Sequence, residues 1–170
     1  MNGASQQGKQ PVSAVLAGPY GHPFHPILVT VPIGAWVASL VFDLGSRFVD
    51  DPEFLAEGSS WLIAIGVLGA LAAATIGFLD LLAIPTGTPA FRTGLLHMTL
   101  NLLVTLAYAI GFVWRLGADA PVAAGPLALS VAALVALAVS GYLGGKLAYH
   151  YGVRVADEAT QASGFTHRTP

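Results

Sequence analysis

Cysteine is absent from the chain, and charge is scarce: Lys, Arg, Asp and Glu make up 9% of 170 residues. The first absence excludes disulfides, thiolate metal sites and cysteine nucleophiles. The second excludes an ordinary soluble surface, on which charged residues approach ~25% of the composition. A formal net charge of −2 leaves no basic face for nucleic acid. No nucleophile elbow, phosphate loop or HExxH motif occurs. The glycine-rich "GYLGGKLAYHYGVRV" does not match GxGxxG. The opening "MNGASQQGKQPVSAVLAGPY" lacks a basic stretch leading into an apolar one, so it reads as a flexible tail rather than a cleaved signal peptide.

What the chain has instead is apolar mass, 55% hydrophobic residues, gathered into four runs. These cover about 26–48, 60–84, 91–116 and 125–149. Each reaches the ~20 residues that cross a bilayer as a helix. The separators "DDPEFLAEGS", "PTGTP" and "GADAPVAAGP" are short, which makes successive helices antiparallel. The fold class is therefore all-α, an integral membrane four-helix bundle running up-down-up-down. The expected organisation is a flexible tail over 1–21, the bundle over 22–153 and a second flexible tail over 154–170.

In this topology both tails and the middle loop share one side. Lys9, Arg92, Lys146, Arg154 and Arg168 fall there, whereas Arg47 and Arg115 lie opposite with most of the acids. The positive-inside rule then places both termini in the cytoplasm. Trp61 and Trp114 mark the far interface, and Tyr142, Tyr149 and Tyr151 the tail side. Small residues four apart (Gly66 and Ala70, Ala73 and Gly77, Gly141 and Gly145) read as close helix packing and invite a homo-oligomer.

Polar groups within spans are costly and have partners or jobs. His22 and His25 in "GHPFHP", Asp80, His97, Asn101 and His150 all fall at the tail end of the bundle. Imidazoles from facing helices can clamp a b-type haem or ligate a divalent metal. His25 and His97 are the preferred pair, with His22 and His150 as alternates; a metal held by His22, His25 and His97 is the alternative to haem. Gly34, Gly77, Gly94 and Gly141 would make room for a flat macrocycle. The plainer reading is a helix cap at His25, with Pro26 at the first helical position. Asp80 is expected to pair with Arg92 across the turn, or to orient a ligating histidine. Asp43 is expected to pair with Arg47 four residues on. Asn101 follows His97 by one turn and suits an interhelical hydrogen bond. Pro32 removes one backbone hydrogen bond and frees a carbonyl near Leu28.

"GHPFHPILVTVPIGAWVASLVFDL", "GFLDLLAIPTGTPAFRTGLLHMTLN" and "GYLGGKLAYHYGV" resemble a bacterial family of small four-helix membrane proteins, domain of unknown function 2231. The resemblance covers about residues 20–153. Its pattern matches His22, His25, Asp80, Arg92, His97 and Asn101. Members are in some cases fused to Rieske-type iron–sulfur domains, which implies electron transfer and a separate redox partner protein for this chain. The fourth span departs from the family's Y-x-H-G-V, since His150 stands one residue early in Tyr149–Val153. Alternatives of other classes are an accessory membrane subunit without catalysis and a small proton-linked transporter.

Overall fold

The computed structural model describes residues 6–13 and 18–165. Arg168 and the outer parts of both tails lie outside the described residues. Among the described residues the α-helices from Phe24 onward are α1 (Phe24–Leu28), α2 (Thr30–Gly45), α3 (Glu53–Leu82), α4 (Pro89–Arg115), α5 (Ala124–Gly145) and α6 (Glu158–Ser163). A π-helical turn over Lys146–His150 extends α5. Four spans are long and apolar enough to cross a membrane: Phe24–Gly45, Glu53–Leu82, Pro89–Arg115 and Ala124–His150. The described residues include no strand.

Local sequence explains the boundaries. The interruption between α1 and α2 falls at Val29, which keeps helical angles of φ −67° and ψ −17°. Pro32 has no N–H to give to the Leu28 carbonyl, so a bond is missing without a change of backbone conformation. α3 starts at Glu53, inside the stretch expected to be loop, because Pro52 precedes it and Glu53 places negative charge on its first turn. α4 opens on Pro89 behind Thr88, whose side chain accepts a hydrogen bond from the Phe91 N–H.

α2 packs along α3, α3 along α4 and α4 along α5, and α2 meets α5 to close the ring. The outward faces are apolar: Val37, Leu68, Leu103 and Val135 are among many large exposed side chains. The interior holds the polar groups. Ser39, Asp43, Ser46, Ser59, Ser130 and Ser140 are buried, beside Trp36 and Tyr108. A protein whose oily side chains face out and whose hydroxyls and carboxylate face in is built for hydrocarbon, where polar atoms must be satisfied internally.

The middle of the bundle is a stacked aromatic pair. The Trp36 and Tyr108 rings lie 4.2 Å apart and 7° from parallel. Trp36 Nε1 donates to the Ile63 carbonyl at 3.4 Å, and the Tyr108 hydroxyl donates to the Ser130 carbonyl at 3.3 Å. Gly66 makes the stack possible, because a Cβ there would overlap the Trp36 indole. This pair carried no signal in the sequence beyond two aromatics within apolar runs.

The far end is closed by an ion pair. Arg115 Nη2 donates to Asp43 Oδ2 at 2.7 Å, with Asp43 fully buried and Arg115 nearly so. The same guanidinium bonds the Gly111 and Pro126 carbonyls and the Ser130 hydroxyl. Asp43 thus pairs across the bundle and not with Arg47, as its spacing predicted. Arg47 instead donates to the Val122 carbonyl at 2.7 Å and pins the loop before α5.

Candidate functional site

The tail end gathers imidazoles. His25 lies on α1 and His97 two turns into α4, and their ring centroids are 6.3 Å apart at 81°. His25 Nδ1 lies 2.9 Å from the Ala73 carbonyl of α3. His97 Nδ1 lies 2.8 Å from the Ser140 carbonyl of α5, with the Ser140 hydroxyl at 3.0 Å. A carbonyl only accepts, so each Nδ1 carries a proton, and in the neutral ring the lone pair then lies on Nε2. Asn101 agrees with that tautomer: its amide lies 3.1 Å from His97 Nε2 and donates to it. The same amide bonds the His97 carbonyl at 3.0 Å.

Glycines seat both rings. A Cβ on Gly77 would come within 2.8 Å of His25 Cε1, and one on Gly144 within 3.1 Å of His97 Cε1. Gly144 was missed beside the flagged Gly141 and Gly145; the repeat of small residues gives spacing but not rotational phase. Gly34 and Gly141 have nothing within 4 Å of a built Cβ, and Gly94 meets Leu81. Only Gly77 of the four glycines expected to open the site therefore touches a histidine.

Asp80 follows Gly77, the glycine under the His25 ring, by three residues on α3 and so lies on the same side of that helix. Its partner is Arg154, whose Nε lies 3.0 Å from Asp80 Oδ1. The expected Arg92 partner is exposed and makes no ion pair among the described residues. Arg154 reaches Asp80 from beyond the last span in a left-handed conformation, φ 58°. Its backbone N–H donates to the Gly8 carbonyl at 3.0 Å. Lys9, next in line, bonds Glu158 at 3.1 Å. The segments before and after the bundle therefore meet over its histidine end.

His22 and His150 stand apart from the pair of His25 and His97. His22 pairs with Tyr20, whose hydroxyl lies 2.8 Å from His22 Nδ1. His150 is exposed, with its ring against Tyr151. Among the described residues no three His, Cys, Asp or Glu side chains stand together as a metal site. Beyond the membrane, Asp157 caps α6: the Thr160 N–H bonds Oδ1 at 2.8 Å and the Thr160 hydroxyl bonds Oδ2 at 3.1 Å. Those two bonds, the backbone one foremost, hold the Asp157 carboxyl below the usual carboxylate range.

No curated protein and no solved structure matches this chain. A family model described as a predicted membrane protein, DUF2231, matches residues 21–157 and so takes in all four spans and the histidine end. The chain belongs to that family of membrane proteins.

Proposed function

We propose that this protein is a membrane electron-transfer subunit in which His25 and His97 would hold a b-type haem. The carrying observation is the pair itself: two imidazoles from different helices, each tied through Nδ1 to a backbone carbonyl, 6.3 Å apart. Backbone bonds of this kind fix the tautomer of ligating histidines and raise their basicity. A haem iron takes only two ligands from protein, which suits a site of two histidines better than an ion held by the protein alone.

When bound, haem supplies one-electron chemistry. The chain's residues do the rest. Ala73 and Ser140 orient the rings, and Gly77 and Gly144 let them sit against helix backbone. Asp80 with Arg154 sets the charge beside His25. A group held at His97 Nε2 would take the place of the Asn101 bond there, and Asn101 would keep its bond to the His97 carbonyl. His22 and His150 have no part in this assignment. The sequence's charge bias supports a cytoplasmic histidine end in a bacterial inner membrane. A separate protein would exchange the electron, and the open glycines at Gly34 and Gly141 leave room for a second copy.

The Asn101 bond favours one competing reading, an imidazole layer that is purely structural, because it already satisfies His97 Nε2. Spectroscopy separates the two. Full-length protein is purified in detergent from cells supplied with haem, and its reduced-minus-oxidised spectrum is recorded. The proposal predicts a Soret band that His25→Ala and His97→Ala abolish while the fold persists. A colourless wild-type protein would leave the structural reading.

A further inference from the structure

His22 belongs to the same HPxHP motif as His25, yet the paired imidazoles do not use it. It faces a different feature, a cavity of about 320 Å³ at the tail-side mouth of the bundle. Three segments wall it: Lys9 from the N-terminal stretch, Tyr20 and His22 from the turn before α1, and Arg154, Asp157 and Thr160 from beyond the last span. That volume falls at the lower end of small-molecule sites, ~300–1,000 Å³.

Backbone strain concentrates here. Among the described residues two non-glycine residues have positive φ, Tyr20 at 52° and Arg154 at 58°. Both line this cavity. Such conformations persist where the surroundings over-determine them, and they cluster at ligand sites. Packing of the Tyr20 ring does not hold its backbone there, since the residue is 91% exposed. The turn's hydrogen bonds do, from Gly21 N to Gly18 O and from His22 N to Pro19 O, with the hydroxyl directed to His22.

The wall is richer in donors than in acceptors. Lys9 has three N–H donors, and Glu158, its one ion-pair partner, is 68% exposed at the side chain. The Lys9 side chain itself is 10% exposed, so the Glu158 end of the bridge is the one that can swing out to solvent. His22 engages Tyr20 through Nδ1 and keeps Nε2. Arg154 adds positive charge, balanced by Asp80 behind it. The one carboxylate on the wall, Asp157, has both oxygens taken by Thr160 at the α6 cap.

We propose that this cavity is a binding site for an oxyanion, a carboxylate or phosphate group, contacted by Lys9 and His22. The group belongs either to a small soluble anion or to a lipid headgroup at the membrane surface. The site stands on residues separate from His25 and His97, so it is independent of the haem assignment.

The test uses the full chain, first in zwitterionic detergent. Histidine side-chain NMR follows His22, assigned by the signal that His22→Gln removes. Inorganic phosphate and citrate are titrated in turn. The chain is then placed in bilayers of zwitterionic lipid with and without phosphatidylglycerol. A saturable shift of the His22 signal with phosphate or citrate, weakened tenfold or more in Lys9→Gln, supports a soluble anion. A shift seen only with phosphatidylglycerol, and lost in Lys9→Gln, supports the headgroup. Tyr20→Asn, which tolerates positive φ, removes the hydroxyl and is expected to weaken the response without unfolding the chain. No response to any of the three probes overturns the proposal, as does a response unchanged in Lys9→Gln.

Discussion

The two ends of the bundle each hold an ion pair, built differently. At the far end Asp43 and Arg115 both lie within spans, meet at 2.7 Å and are sealed from solvent. The guanidinium there ties α4 to α2 and α5 at once. At the tail end Asp80 lies in a span, but its partner Arg154 arrives from outside, in a strained conformation, at 3.0 Å. The far pair closes the bundle. The near pair stands beside two oriented imidazoles and under two terminal segments that touch each other. One end is fixed by its spans alone, and the other depends on segments that can be altered without touching a span.

That contrast is open to breakage, beginning with the largest effect. Arg115→Ala leaves the buried Asp43 unpaired and is expected to cost about 3–5 kcal/mol, measured by unfolding in mixed micelles. The double change Asp43→Leu with Arg115→Met should cost less than either single change, because no lone charge stays buried. At the tail end Arg154→Gln should cost about 1–3 kcal/mol, the penalty for leaving a largely buried polar group without its partner. Arg154→Gly sharpens the point: it loses the same ion pair but relieves the positive φ, so it should be the milder of the two. Equal losses would show that the left-handed backbone stores no strain.

The smallest effect lies at α6. Asp157 has its folded pKa lowered by the Thr160 bonds. A depressed folded value means that the cap's contribution is complete above the unfolded value, ~3.9. It is lost as pH falls through the folded value. The Thr160 amide signal should therefore move with a midpoint below that of a free aspartate. A midpoint at or above ~3.9 would remove the cap.

The four spans and the gathering of polar residues at one end were legible because hydropathy and loop length are local properties. Pairing was not. Asp43 and Asp80 were matched to the arginines nearest in sequence, Arg47 and Arg92, while the structure uses Arg115 and Arg154. Which cation a carboxylate meets depends on how each helix is rotated, and hydrophobicity all round a membrane helix hides that rotation. A signal did exist for Arg115: a charge in a span needs a partner, and Asp43 is the acid that lies within an apolar run at the same end. The acceptors at Ala73 and Ser140 are backbone carbonyls, which every residue carries, so no sequence marks them. His22 and His25 stood three apart in one motif, yet a turn ending at His22 sends them to different sites.

The most direct measurement is the haem content per chain of wild type, His25→Ala and Arg115→Ala, taken together with their unfolding curves. The account predicts stoichiometric haem in wild type. It predicts that His25→Ala loses the haem with the fold intact, and that Arg115→Ala loses stability first. Haem-free wild-type protein from haem-supplied cells, or haem retained in His25→Ala, would contradict it.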